Sequence, residues 1–393
     1  MKRRIHLTFL FCVLAVLFAV PVLSALEPDE ETSFYENRAL TQRPVWSLEG
    51  MMEGEYFTQW ESYLSDHIVR RDWWLKAYTV EETVLLRREV VNDVVLGQDV
   101  LLPYMTQVDE VDYTAQAQQM AGDLAALQQV IADNGGVFLY IGVPEQYSYF
   151  RDRYPDYLFN NDANLTHLHQ QFAQALEEQG VAYLDILPVL KEDENSDSYY
   201  FRTDHHYTIR GALRTWQAAV EQLQTLGVDV TAVDEEEVEF VSLPNPFYGS
   251  RGRKLYDTSP VSDTLEIWRG AWEQVPFTRY DNGAQVESTL FTLPGNDEEA
   301  VAYTAYMGGD QAETRIETDR PELPDALIFG DSFTNALETF AFLSFDTTVS
   351  LDLRHYTQQT LAQYIAEYQP DVVICIRDDT SFVNFEGNGQ VAP

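Results

Sequence analysis

Two short clusters in this chain combine a carboxylate, imidazoles and a hydroxyl in a pattern that suits acyl chemistry. The first is Thr203-Asp204-His205-His206-Tyr207-Thr208, followed by Gly211 and a helical pattern. The second is Leu327-Ile328-Phe329-Gly330-Asp331-Ser332-Phe333, an apolar strand pattern that ends in Gly-Asp-Ser at the mouth of a predicted helix. A serine hydroxyl is a poor nucleophile until a base takes its proton, and an imidazole steadied by a carboxylate can serve as that base. Histidine is scarce, at 7 residues, so an adjacent pair behind an aspartate stands out. Asp204, two residues before His206, can hold one ring nitrogen from the same extended loop while the other nitrogen faces a serine. His205 then points to the opposite side. The expectation is Ser332 as nucleophile, His206 as base and Asp204 as orienter.

Position gives Ser332 its weight. A serine where a strand turns into a helix places its hydroxyl at the carboxyl edge of the sheet, where open α/β folds bind ligands. The helix N-terminus also offers backbone N–H groups and positive dipole to the oxyanion that acyl transfer creates. A plainer reading stands beside this one, because Asp331 or Ser332 can serve only as a helix cap. For His205, a hydrogen-bonded structural role is the favoured reading. A metal set built from Asp204, His205 and His206 is weak, since neighbouring histidines on an extended segment diverge. His167 and His169 are two apart on a predicted helix, face different ways, and are read as surface residues. No metal and no cofactor are expected. Cys12 and Cys375 lie too far apart in sequence to suggest a disulfide framework.

These residues need a scaffold, and the 393-residue chain, 45% hydrophobic, has enough apolar content to build one. Met120, Leu124, Leu127 and Ile131 recur at helical spacing before Asn134-Gly135-Gly136, and residues 137–143 read as a strand. Leu165, Leu168, Phe172 and Leu176 repeat the helix, Gly180 stops it, and residues 181–187 read as the next strand. Leu213, Trp216, Val220 and Leu223 mark a third helix, which ends near Gly227. Strand patterns return at 327–329, 349–353 and 372–376. Strands alternating with helices predict a parallel sheet between helical layers. Residues 234–324 are acidic, punctuated by Pro and Gly, and carry alternating patches such as 291–293, which predicts a β-rich insertion or cap.

Lys2, Arg3 and Arg4 precede an uncharged, mostly apolar run over residues 5–26, the layout of a signal anchor or a signal peptide, with the anchor favoured. The rest of the chain is then extracytoplasmic. The domain expectation is a membrane-directed segment 1–26, an aromatic-rich lead-in 27–110, and a catalytic domain 111–393 with its insertion at 234–324. With 25 Lys+Arg against 64 Asp+Glu, the net charge of −39 argues against nucleic acid as a partner.

At these residues the chain resembles the DHHW family, relatives of the AlgX/AlgJ-type alginate O-acetyltransferases within the SGNH hydrolase superfamily. Besides the two clusters, the resemblance includes Tyr35-Glu36-Asn37-Arg38 with Pro44, the stretch 54–66 with Arg71, Val143-Pro144 leading to Pro155, and Asp352-Leu353-Arg354. It implies an SGNH-like three-layer α/β/α domain with the catalytic order Asp204, His206, Ser332, permuted relative to esterases in which serine comes first. Tyr207 stands where the family name has Trp. Tyr306-Met307-Gly308-Gly309-Asp310 stands where relatives often carry a Gly-Gly-Asn-like pocket loop, and an ionised Asp310 would oppose an oxyanion. The resemblance therefore implies an oxyanion and substrate pocket drawn from Gly308, Gly309, Tyr306, Tyr207 and Arg354, with the Ser332 N–H and a glycine N–H as donors. It implies O-acetylation of a cell-surface or secreted polysaccharide, with acetyl delivered by a membrane-bound O-acyltransferase. A carbohydrate esterase uses the same machinery with water as acceptor. A noncatalytic glycan-binding or assembly protein is a third reading, and the intact Asp204, His206 and Ser332 weigh against it.

Overall fold

In the computed structural model, which describes residues 2–385 and 390–393, the apolar N-terminal run forms helix α1 (Lys2–Ser24). Residue 1 and residues 386–389, which fall in the expected segments 1–26 and 111–393, lie outside the described residues. The stretch Arg4–Ser24 has 21 residues and is apolar enough to cross a membrane. At about 1.5 Å per residue it matches a hydrocarbon core roughly 30 Å thick. None of it is buried within the protein.

The chain divides into two compact units, Met1–Leu96 with Gly252–Pro260, and Gly97–Arg251 with Val261–Pro393. The expected lead-in, residues 27–110, falls across both units. In the smaller unit, α2 (Leu48–Glu53), α3 (Glu55–Asp66) and α4 (Arg71–Val80) follow one another, with Gly54 at φ +87° making the turn between α2 and α3. The Tyr35-Glu36-Asn37-Arg38 stretch is anchored here by charge. Arg38 grips Asp66 with two nitrogens, at 2.6 and 3.1 Å, and Arg71 pairs with Glu36 at 2.9 Å. The Arg38 bond and the Thr41 N–H hold the Asp66 carboxyl below the usual carboxylate range.

The larger unit is built on one eight-stranded sheet. Its strands are β1 (Val137–Val143), β2 (Tyr183–Asp185), β5 (Thr278–Asp281), β6 (Ala284–Val286), β7 (Glu313–Glu317), β8 (Ala326–Gly330), β9 (Thr347–Leu351) and β10 (Val372–Asp378). A separate antiparallel pair, β3 (Val238–Ser242) and β4 (Glu266–Gly270), lies outside it. The sheet order is β6-β5-β7-β9-β8-β10-β1-β2. The pairs from β9 to β2 are parallel and those from β6 to β9 antiparallel.

The expectation of a parallel sheet therefore holds for the half that carries the serine and fails for the other half. Much of the predicted insertion is an antiparallel extension of the same sheet, because β7 alternates buried and half-buried residues and pairs with β9 along its whole length. Residues 291–293 form no strand and contribute one bridge, Phe291 to Tyr306. The strand expected at 181–187 stops at Asp185, whose side chain accepts the Leu187 N–H and caps a helix, Ile186–Lys191.

Helices α5 (Thr114–Asp133), α6 (Asp162–Gln179) and a later helix, Leu361–Tyr368, share one core with the sheet. Met120, Leu124, Phe172 and Ile365 pack there with Val373 and Cys375. Alternate strand residues such as Leu139, Ile328 and Ile374 belong to the opposite face. There α7 (Ile209–Thr225) packs on α8 (Thr334–Ala341), the helix that follows the serine. Cys375 is buried, which pushes its thiol up to about 12 and removes it as a nucleophile, and Cys12 is free on α1.

Candidate active site

Ser332 sits two residues beyond the carboxyl end of β8 and two before α8, half-buried at the sheet edge. Strands β9 and β10 flank β8 on both sides, so the position of the serine is set by the middle of the sheet. The glycine in Gly-Asp-Ser has a packing reason, since a Cβ on Gly330 would come within 2.0 Å of the Ile376 carbonyl oxygen. Asp331 turns inward and ties the serine loop to β10. Its Oδ1 accepts the Phe333 N–H at 3.0 Å and its Oδ2 the Asp378 N–H at 2.8 Å.

The histidine arrives on a tight turn. Tyr200 and Tyr207 bridge it, the Thr208 N–H donates to the Tyr199 carbonyl at 2.8 Å, and Thr208 caps α7 through the Gly211 N–H. His206 Nε2 lies 2.7 Å from Ser332 Oγ, and His206 Nδ1 lies 2.6 Å from Asp204 Oδ1. With the proton on Nδ1, His206 donates to the carboxylate and turns its free lone pair to the serine hydroxyl. Asp204 is 2% exposed, yet its second oxygen accepts the Ser250 N–H at 2.6 Å. Burial alone would raise this carboxyl, but His206, His205 and the Ser250 N–H overcome that and hold it well below the usual range. An ionised, fully bonded Asp204 fixes the ring and favours the imidazolium that forms when serine gives up its proton.

Three partners of this turn were missing from the sequence reading. Ser250 also takes His205 Nδ1 on its hydroxyl at 2.8 Å, consistent with the structural role favoured for His205. Asp263 accepts the Arg202 and Thr203 N–H groups and the Thr203 hydroxyl, at 2.6–3.0 Å, and so pins the start of the turn. Tyr303 lies flat on His206, with ring centroids 3.7 Å apart and planes 2° from parallel, while Phe333 leans on the same imidazole at 4.9 Å. All three partners come from residues 234–324 and its loops. The one signal that could have pointed to Ser250 is Gly249 before it. A Cβ there would meet the Thr203 carbonyl oxygen at 2.4 Å, so the chain closes on the turn only with glycine.

Ser332 opens into a pocket of about 420 Å³ also lined by His205, Glu145, Arg251, Asp331 and Arg354. Glu145 pairs with Arg251, whose Nε also donates to Gln146 at 2.9 Å. Burial raises the Glu145 carboxyl to about 7, with Asp379 and Asp378 pushing the same way against Arg251 and the Tyr147 N–H. Asp331 is raised well above the usual carboxylate range by its burial and by the charge of Asp378 beside it. Arg354 is fixed by Asp352 at 2.6–3.1 Å and by Asp310 at 2.8 Å.

Of the pocket residues implied by the resemblance, Arg354 lines the pocket and the others stand behind it. Tyr207 is fully buried, and its hydroxyl donates to the Phe333 carbonyl beneath the serine loop. Tyr306 is equally buried, with its hydroxyl on the Glu266 carbonyl at 2.7 Å. Gly308 and Gly309 take φ of +77° and +84° in a turn, and the Gly309 N–H is spent on the Tyr306 carbonyl at 3.0 Å. The Asp310 carboxylate is occupied by Arg354 and by the Asn335 amide at 2.9 Å. At the serine loop the N–H groups of Asp331, Phe333, Thr334 and Asn335 all have protein acceptors. Among the described residues the Ser332 N–H is the one there without such an acceptor. His167 lies 3.3 Å from Glu110, and His169 lies 3.1 Å from the buried Asp379, so neither joins the site. His169 is less superficial than its helical position predicted.

A family model described as the SGNH hydrolase-like domain of acetyltransferase AlgX matches residues 94–292, which include Asp204, His206, Ser250 and Asp263. No curated protein matches the chain. Among solved structures, the chain is similar to Bacillus cereus PatB1 with a sulfonyl adduct, at 18% identity and a TM-score of 0.61, covering 74% of this chain and 95% of that one. It is also similar to a DHHW family protein from Eubacterium siraeum, at 20% identity and a TM-score of 0.58, covering 76% of this chain and 95% of that one. At these identities the likeness is one of fold.

Proposed function

The chain belongs to the AlgX family of SGNH hydrolase-like acetyltransferase domains, and from that premise we propose that it is an extracytoplasmic O-acetyltransferase acting on a cell-surface or secreted polysaccharide. The observation that carries this reading is the hydrogen-bonded line from Ser332 through His206 to Asp204 at the mouth of a pocket. In the first half-reaction His206 Nε2 takes the Ser332 proton as Oγ attacks the acetyl carbonyl carbon of the donor. The carbonyl electrons move onto oxygen, where the Ser332 N–H is placed to meet the oxyanion. As they return, the donor's leaving group departs with the proton from His206, and acetyl-Ser332 remains. In the second half-reaction His206 takes the proton of a sugar hydroxyl, the hydroxyl oxygen attacks the acetyl carbon, and Ser332 recovers its proton.

Arg354, Arg251 and the Glu145 carboxyl line the space an acceptor would enter. Helix α1 suits a membrane anchor, which would hold the domain where a membrane-bound O-acyltransferase could hand over acetyl. The domain division proposed to go with this function is the anchor, a lead-in, and a catalytic domain that carries both clusters.

The test uses a chromogenic acetyl ester with the purified chain. Ser332→Ala is expected to remove acetyl-enzyme, seen by intact mass, and to lower turnover by at least about 10³-fold while the fold is kept. Unchanged turnover would falsify the nucleophile assignment. An added oligosaccharide should collect more acetyl than appears as free acetate, and the opposite partition would make the protein an esterase.

A further inference from the structure

Exposed large apolar side chains are unevenly spread among the described residues. In the larger unit they occur singly, as at Tyr104, Tyr157 and Leu293, whereas the smaller unit exposes Trp46, Met52, Phe57, Trp73, Trp74 and Leu85 within a short stretch. Scattered exposed apolar residues are ordinary, but a concentrated group of this size marks a contact surface.

This stretch is continuous with α1. Val16 and Val20 of α1 form a groove of about 550 Å³ with Ile68, Trp74 and Leu75. The Ser24 hydroxyl, at the last residue of α1, accepts the Val69 N–H at 2.8 Å, and Glu27 accepts the Arg70 N–H at 3.3 Å. The segment joining α3 to α4 is thereby fastened to the end of the helix that is apolar enough to cross a bilayer. Tryptophan is favoured at the boundary between acyl chains and headgroups, where its ring is half apolar and half wet.

We propose that the Trp46 to Leu85 stretch is a membrane-interface surface, with α3 and α4 seated among the headgroups of the bilayer that α1 spans. The occupant is lipid because the apolar surface of α1 runs directly into the patch. The inference rests on α1 acting as an anchor, so the experiment reads the two separately.

Cys12→Ser leaves buried Cys375 as the one natural thiol in the full-length chain. In that background Trp46→Cys, Trp73→Cys and Leu85→Cys are compared with Tyr157→Cys, a 69% exposed position in the larger unit, using a water-soluble maleimide. Samples are native membranes and vesicles of phosphatidylcholine with phosphatidylglycerol, and circular dichroism checks the fold of each variant. The three patch positions should label at least about tenfold more slowly than Tyr157→Cys in both samples. Equal rates overturn the proposal. Slow labelling in native membranes with fast labelling in pure-lipid vesicles also overturns it, because the cover is then a protein. An alkaline carbonate wash reads α1 independently: a chain released by the wash is not anchored, and the inference falls with that reading. A chain that stays while the patch labels freely leaves the anchor standing and removes only the interface.

Discussion

Two buried aspartates stand on either side of the Ser332–His206 contact, and they are held in opposite states. Asp204 is 2% exposed and Asp331 7%, so burial penalises charge in both. Asp204 faces two imidazoles and the Ser250 N–H and is held below the usual carboxylate range. Asp331 accepts N–H groups from Phe333 and Asp378 but lies against the Asp378 carboxylate, and its proton is retained far above that range. Burial favours the protonated acid in both, and the neighbouring groups set them apart: the imidazoles and the Ser250 N–H overcome it at Asp204, whereas the Asp378 carboxylate adds to it at Asp331. One side of the serine thus places a carboxylate that steadies His206, and the other a brace whose surroundings disfavour charge and which shapes the loop through the Phe333 and Asp378 N–H groups.

Asp204→Asn attacks this contrast at its strongest point. The amide keeps the shape of the turn but loses the charge and misdirects the imidazole tautomer, so turnover of an acetyl ester should fall about 10³–10⁴-fold with little change in KM. A loss under tenfold would mean that the two aspartates are not the opposites described. Asp331→Asn probes the neutral side. Since burial and Asp378 both favour the protonated form of the native group, activity should fall by less than about tenfold, while stability drops by about 1 kcal/mol as one N–H loses its acceptor. A collapse of activity with the fold intact would show that a charge is needed there.

Glu145→Gln sharpens the same point for the pocket wall. Folded Glu145 keeps its proton up to about 7, whereas its ordinary value is 4.5, so between these values the folded chain binds more protons than the unfolded one. Wild-type stability should therefore decline as pH rises through that window. The glutamine variant should lack that share of the slope, on the order of 2 kcal/mol over the window, in denaturant titrations at stepped pH. Identical slopes would mean that the Arg251 pair offsets the desolvation.

What the sequence disclosed about this site follows from how local each signal is. Asp204 and His206 lie two apart on one turn, and Ser332 follows a strand pattern and precedes a helix, so neighbours in sequence carry the information. Strands β1, β8 and β10 could be read from runs of buried β-formers. Ser250, Asp263 and Tyr303 could not, because each reaches the histidine turn from far along the chain, Ser250 and Tyr303 at the first residue of a short helical turn and Asp263 from irregular backbone, on paths set by tertiary packing. The misplacement of Tyr207 and Tyr306 has a related cause. A tyrosine near a catalytic motif reads as a pocket wall, but a hydroxyl that finds a backbone carbonyl, as on Phe333 and Glu266, lets the whole ring sink into the core. The antiparallel half of the sheet was obscured for want of length, since β5, β6 and β7 have only 3–5 residues each.

The central place of β8 has a consequence for the order in which the protein comes into being. Both of its sheet neighbours, β9 and β10, are later in the chain, and the imidazole of His206 that Ser332 meets lies 126 residues before it. A growing chain that has completed the histidine turn, and even the serine loop, still lacks the strands that fix the serine in place. The Ser332–His206–Asp204 alignment is thus among the last features the polypeptide acquires, and a chain truncated before residue 372 has these side chains without the frame that aligns them.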